Sequence, residues 1–151
     1  MEREACMECI PIGVVRSPYR ERGDAPRQGR LVDTTAEIHI FEEFAPGLQN
    51  VEGSSHLIVL YWLDRAERGL LFATPPGESA QKGVFSTRSP ARPNPIGLGI
   101  VDLISRSGAV LAVRGLDALD GTPVLDIKPY SPEIDCIPAA TGGWRIKREE
   151  R

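Results

Sequence analysis

Seven short β-prone runs, each bounded by glycine- or proline-containing turns, recur along the chain, and no long amphipathic helical pattern alternates with them. A doubly wound α/β sheet needs a crossover of roughly a dozen residues or more, usually a helix, between parallel strands, so that class is excluded. The pattern predicts an all-β fold, a small antiparallel β-barrel or sandwich with few short helices. The runs cover residues 10–15, 37–40, 56–63, 83–86, 96–104, 109–114 and 124–127. Pro11 marks the first as an edge or a strand start. Residues 37–40 alternate as a half-buried strand should, which sends His39 to the polar face. The apolar run at 56–63 reads as a central strand buried on both faces. Residues 105–108 look like a hairpin loop. Residues 41–50 have room for a helical turn or two, and residues 64–71 for a short helix capped by Asp64.

Composition narrows the function classes. At 151 residues the chain has the length of one domain; the barrel is expected over residues 10–137, with a frayed N-terminus at 1–9 and a charged tail at 138–151 that includes Trp144. The longest apolar stretch is far short of the roughly 20 residues that span a bilayer. Acidic residues at the N-terminus and the lack of an apolar signal region fit a cytoplasmic protein. Cys6, Cys9 and Cys136 are an odd set and a poor disulfide framework, and the Cys6/Cys9 pair has no second pair or His cluster to complete a metal site. A net charge of -3 argues against a general nucleic-acid field. Yet no acidic residue lies between Glu78 and Asp102, and 15 of the 18 cations are Arg, which suits planar recognition of carboxylate or phosphate.

Three polar segments are too particular for ordinary connections. The first, at 17–30 (SPYRERGDAPRQGR), spreads four Arg over fourteen residues. In the second, at 85–99 (FSTRSPARPNPIGLG), Pro90, Pro93 and Pro95 stiffen a loop that carries Arg88 and Arg92. Such a loop grips an anion at little entropic cost, or it is a proline-braced crossover with solvated arginines; composition leaves both open. The third, at 116–132, contains the turn Asp120-Gly121-Thr122-Pro123 and then a strand that places Asp126 and Lys128 on one face, with Tyr130 at its end. That spacing serves a surface ion pair as well as a site. A G-x-S-x-G elbow, an H-E-x-x-H helix and a P-loop are all missing, and Gly97-Leu98-Gly99 lacks the third glycine of a dinucleotide fingerprint.

Taken together, FSTRSPARPNPIGLGIVDL and GLDALDGTPVLDIKPYSP, with IPIGVVRSPY and PRQ upstream and SHLIVLYW between, resemble the TsaA-like (TrmO, YaeB) family of S-adenosylmethionine-dependent methyltransferases that act on tRNA. The resemblance runs from about Ile10 to Pro132. It implies a small antiparallel barrel and a homodimer that binds the cofactor near the subunit interface. It also implies methylation of N6 of the threonylcarbamoyl-adenosine next to the anticodon. Carried over by position, it implies cofactor contacts at Pro26, Arg27, Gln28, Arg88, Leu98, Leu116 and Asp117, and by alignment alone at Asp64 and Arg65. Methyl transfer from a sulfonium requires alignment and an acceptor lone pair but no metal. Asp126 is the expected hydrogen-bond acceptor for the target nitrogen, Tyr130 the residue that stacks on or orients the base, and Lys128 the partner of phosphate or of Asp126. The alternatives are a methyltransferase of a small molecule, suggested by the short C-terminus and acidic balance, and a non-catalytic S-adenosylmethionine-binding module, suggested by the lack of an evident general base.

Overall fold

The computed structural model describes residues 5–142. Residues 1–4 of the expected frayed N-terminus, and residues 143–151 of the expected tail with Trp144, lie outside the described residues. The chain divides into two compact units: a barrel, formed by residues up to Asp64 together with Ile96–Tyr130, and a smaller unit formed by Arg65–Pro95 and residues after Tyr130.

The barrel is all-antiparallel. Its strands are β1 (Gly13–Arg16), β2 (Thr35–Ile40), β3 (His56–Trp62), β6 (Ile96–Ser107), β7 (Val110–Arg114) and β8 (Pro123–Pro129), closed in the order β1-β2-β7-β6-β3-β8. Inside lie Val15, Ile38, Leu57, Val59, Val101, Leu111, Val113 and Val124, all at 1% exposure or less. The β6–β7 hairpin turns through Gly108 and Ala109, with Gly108 at φ +60°, the first-position glycine that suits a two-residue hairpin.

Antiparallel pairing all round has a topological result. The ends of β1, β3 and β7 and the starts of β2, β6 and β8 share one end of the barrel, so the connections at 17–34, 63–95 and 115–122 all leave from it or return to it. The first and third polar segments therefore meet at that end through the strand order alone.

Three expectations need correction. The run at 56–63 is not buried on both faces: Leu57, Val59 and Tyr61 are buried, while His56, Ile58, Leu60 and Trp62 alternate with them half-buried on the outside. The run at 83–86 is not a strand. Only Lys82–Gly83 (β5) pairs, with Phe72–Ala73 (β4), and Val84–Ser86 curls into a 3₁₀ turn because Thr87 returns both its N–H and its hydroxyl to the Val84 carbonyl. Residues 64–71 form no helix. Gly69 weakens an already short segment, and the Asp64 N–H turns back to the Trp62 carbonyl at 2.9 Å. The turn expected within 41–50 is a 3₁₀ segment, Glu42–Leu48, and the short helix α1 (Pro132–Asp135) follows the last strand.

The smaller unit is braced by its own backbone. Arg92 donates from Nη1 to the carbonyls of Thr87 (3.0 Å) and Ser89 (3.1 Å). Arg68 donates to the Pro93 carbonyl (2.8 Å) and to Asn94 Oδ1 (3.3 Å). Of the two readings of this loop, Arg92 follows the bracing one. Arg88 remains exposed.

Candidate functional site

The site is built where two loops at the strand-sharing end are pressed together. A Cβ on Gly29 would fall 1.9 Å from the Gly115 carbonyl oxygen and 2.9 Å from the Asp117 nitrogen, so the two backbones touch only because position 29 has no side chain. Gly115, at φ +88°, donates its N–H to Thr34 at 3.0 Å. A second staple lies alongside: Ser17 donates from its N–H to Asp120 Oδ1 (3.1 Å) and from its hydroxyl to the Ala118 carbonyl (2.8 Å). Gly29 thus lies against the backbone of 115–117, with Pro26, Arg27 and Gln28 immediately before it in the chain.

Within that strip the residues differ in what they offer a ligand. Arg27 is exposed and has no hydrogen-bond or ion-pair partner among the described residues, while Pro26 and Gln28 are half-buried. Leu116 is 0% exposed and its side chain packs toward Gly99, so its position offers backbone only. Asp117 is half-buried and accepts a hydrogen bond from the Tyr61 hydroxyl, which rises from inside the barrel.

The other expected residues lie elsewhere. Asp126 and Lys128 share the outer face of β8 and form an ion pair at 3.1 Å, with side chains 46% and 61% exposed. Asp126 also accepts from the Ile127 N–H at 2.9 Å. Across the sheet, Asp126 pairs with Leu60 and Leu60 with Leu98, so these three form one outer row. Tyr130 is half-buried, edge-on to His56 at 6.5 Å between ring centroids. Asp64 is exposed at the end of the barrel unit, and Arg65 and Arg88 belong to the smaller unit.

Two features were missed by the sequence reading. One is Tyr61, whose signal is a single phenol at the end of an otherwise aliphatic inward row. The other is Asp102, on the outer face of β6, where Arg30 (2.6 Å), His56 Nε2 (3.0 Å) and Arg114 (3.7 Å) converge. The hydrogen bond from Arg30 holds the Asp102 carboxyl below the usual carboxylate range; desolvation opposes it, and the charges of Arg30, His56 and Arg114 add to it. Arg30 follows directly on the 26–28 strip, and its partner is 72 positions away, a pairing no local pattern encodes. Among the described residues no group of three or more His, Cys, Asp or Glu is arranged to hold a metal.

Residues 14–136 match the family model of the tRNA-methyltransferase O N-terminal domain. The chain belongs to that family. Two Archaeoglobus fulgidus proteins are similar to this TrmO-type domain. A probable S-adenosyl-L-methionine-binding protein is 59% identical over 88% of this chain and 36% of its own length, and an S-adenosyl-L-methionine-binding protein is 58% identical over 84% and 91%. The Escherichia coli tRNA (adenine(37)-N6)-methyltransferase is 40% identical, over 88% of this chain and 61% of its own. A crystal structure of TrmO superposes with a TM-score of 0.81 at 34% identity, over 97% of this chain and 65% of that one. The TrmO-type domain described here thus spans less than two thirds of several proteins it matches, and the closed antiparallel barrel is the fold it shares with the TrmO crystal structure.

Proposed function

We propose that this chain is a cytoplasmic, homodimeric methyltransferase that uses S-adenosylmethionine to methylate N6 of the threonylcarbamoyl-adenosine beside the anticodon of tRNA. The observation that carries the reading is the close approach of Gly29, which directly follows residues 26–28, to the backbone of 115–117. Its polar groups fit the cofactor: a guanidinium with no partner among the described residues for the methionine carboxylate, and an amide, a carboxylate and backbone groups for the ribose and adenine edges. The name of the Escherichia coli relative supports tRNA as the substrate.

When bound, S-adenosylmethionine supplies an electrophilic methyl group. The chain's own residues align and shield it. Arg27 pairs with the carboxylate, and Gln28 and Asp117 fix the nucleoside end, with Asp64 as a further contact. The acceptor is an amide-like nitrogen of low basicity, so a carboxylate that takes up its proton as the new bond forms lowers the barrier. Asp126 fills that role, with Lys128 holding its carboxylate and Tyr130 orienting the base. The outer face of β3 and β6 supports the dimer: Ile96 and Leu98 are 47% and 44% exposed within an apolar stripe that includes Ile58, Leu60 and Ile100. Leu98 lies in that stripe, which brings a cofactor contact to the boundary between copies. The resident domain is residues 10–137.

The deciding experiment incubates the purified chain with labelled S-adenosylmethionine and tRNA that carries or lacks the threonylcarbamoyl group, followed by mass spectrometry of the nucleosides. Methyl transfer to the modified tRNA alone is expected, and Arg27→Ala is expected to weaken cofactor binding roughly tenfold. Binding without transfer to any tRNA identifies instead an S-adenosylmethionine-binding module, the reading favoured by the names of the Archaeoglobus relatives and by the Asp126–Lys128 ion pair.

A further inference from the structure

Tyr61 is 3% exposed and closes an inward row otherwise made of Leu57 and Val59. Burying a phenol hydroxyl in such a row is costly unless it finds a partner, and here the partner is Asp117. The ring reaches that carboxylate by lying over Gly97 of β6, its cross-strand neighbour. A Cβ at position 97 would stand 2.2 Å from Tyr61 Cε2 and 2.5 Å from Cζ. The next inward position, Gly99, makes the same kind of room for Leu116, whose Cδ1 lies 3.2 Å from where a Cβ would be. The glycine pair in the PNPIGLG motif is therefore a double recess that seats residues 61 and 116 at the base of the 116–117 loop.

We propose that Tyr61 is a positioning residue for the cofactor. Seated in the Gly97 recess, it holds the Asp117 carboxylate in the orientation that receives the ribose hydroxyls of S-adenosylmethionine. This rests on the reading of Asp117 as a cofactor contact. Tyr61 itself touches no substrate. A tyrosine ring has only two side-chain torsions, and inside a closed barrel both are fixed by packing, so its hydroxyl is a stationary donor. A carboxylate has room for about four hydrogen bonds, so the bond from Tyr61 fixes its plane without by itself saturating it. Preorganisation of this kind acts on binding and leaves the chemical step alone.

The test is calorimetric titration of the full chain with S-adenosylmethionine and, separately, S-adenosylhomocysteine, which shares the adenosine but has no transferable methyl. Tyr61→Phe keeps the ring and removes only the hydroxyl. It is expected to weaken both ligands by the same factor, about tenfold. The KM for cofactor should rise likewise while kcat at saturation stays unchanged, a split that a general loss of structure would not give. Asp117→Asn should weaken binding comparably, and the double variant should bind no worse than Asp117→Asn alone, because both remove one coupled unit. Gly97→Ala, which displaces the same ring by contact, should lose at least as much affinity. Parental affinity in Tyr61→Phe, multiplying losses in the double variant, or a folded Gly97→Ala that binds normally would each overturn the proposal and leave the methyltransferase reading standing. A parent chain that takes up neither ligand overturns that reading and this proposal with it.

Discussion

Strands β2 and β6 stand two apart in the same barrel and obey opposite packing rules. In β2 the inward residues are Ala36, Ile38 and Ile40, and the outward ones are Thr35, Glu37 and His39, with His39 paired to Glu37 at 3.1 Å. In the first half of β6 the inward positions are Gly97, Gly99 and Val101, while the outward ones are Ile96, Leu98 and Ile100. One strand is an ordinary wall with oil inside and charge outside. The other has given up its interior volume to side chains from elsewhere, Tyr61 and Leu116, and shows water an apolar surface. The difference teaches that β6 is shaped by partners on both sides, a carboxylate-bearing loop within and, on our reading, a second copy without.

That contrast can be broken at three points. Ile38→Ala empties a fully buried site and is expected to cost about 2–5 kcal/mol, seen as a clear drop in the thermal midpoint. Leu98→Glu, on the inverted face, is expected to leave monomer stability within about 0.5 kcal/mol. Its effect should appear in sedimentation, as conversion of dimer to monomer; a large loss of fold stability instead would make the outer stripe part of the core. A modest effect on stability, with none on assembly, belongs to Asp102, which ends the apolar stripe with a charge cluster. Asp102→Asn is expected to cost about 0.5–1 kcal/mol near neutral pH. Because the folded carboxyl titrates below its unfolded value, that contribution is complete above the ordinary Asp value of about 3.9 and disappears as pH falls through the lower folded one. Stability curves of parent and variant should therefore converge in acid, and a constant gap at all pH values would remove the ion pairs as its cause.

Much of the fold was legible because strand periodicity is local. The alternation at 37–40, the β6–β7 hairpin and the Asp120–Pro123 turn all appear where the residues themselves demand them. A continuous apolar run such as 57–63 does not reveal which of its faces meets protein, so its outward half looks the same as core in the sequence. Residues 83–86 have β-prone side chains, but a threonine hydroxyl three positions after Val84 decided for a turn, a competition that propensity alone does not weigh. In the site, the PRQ and LD segments were legible as motifs. Their meeting was not, since it depends on two glycines 86 positions apart in sequence, Gly29 and Gly115. Tyr61 stayed hidden for a related reason: a tyrosine that ends an apolar strand looks like packing until its hydroxyl is seen to reach Asp117.

The pairing of β1 with β8 closes the ladder with only a few residues, yet its consequence extends beyond the core. A closed ladder offers no unpaired strand to a neighbour, so the barrel cannot recruit another chain by extending its hydrogen bonds, the route by which exposed strands template aggregates. Any association of the barrel must proceed through side chains on its outer surface. Such contacts can close on themselves between two copies and stop there, which lets this protein carry an exposed apolar stripe without the hazard of open-ended growth.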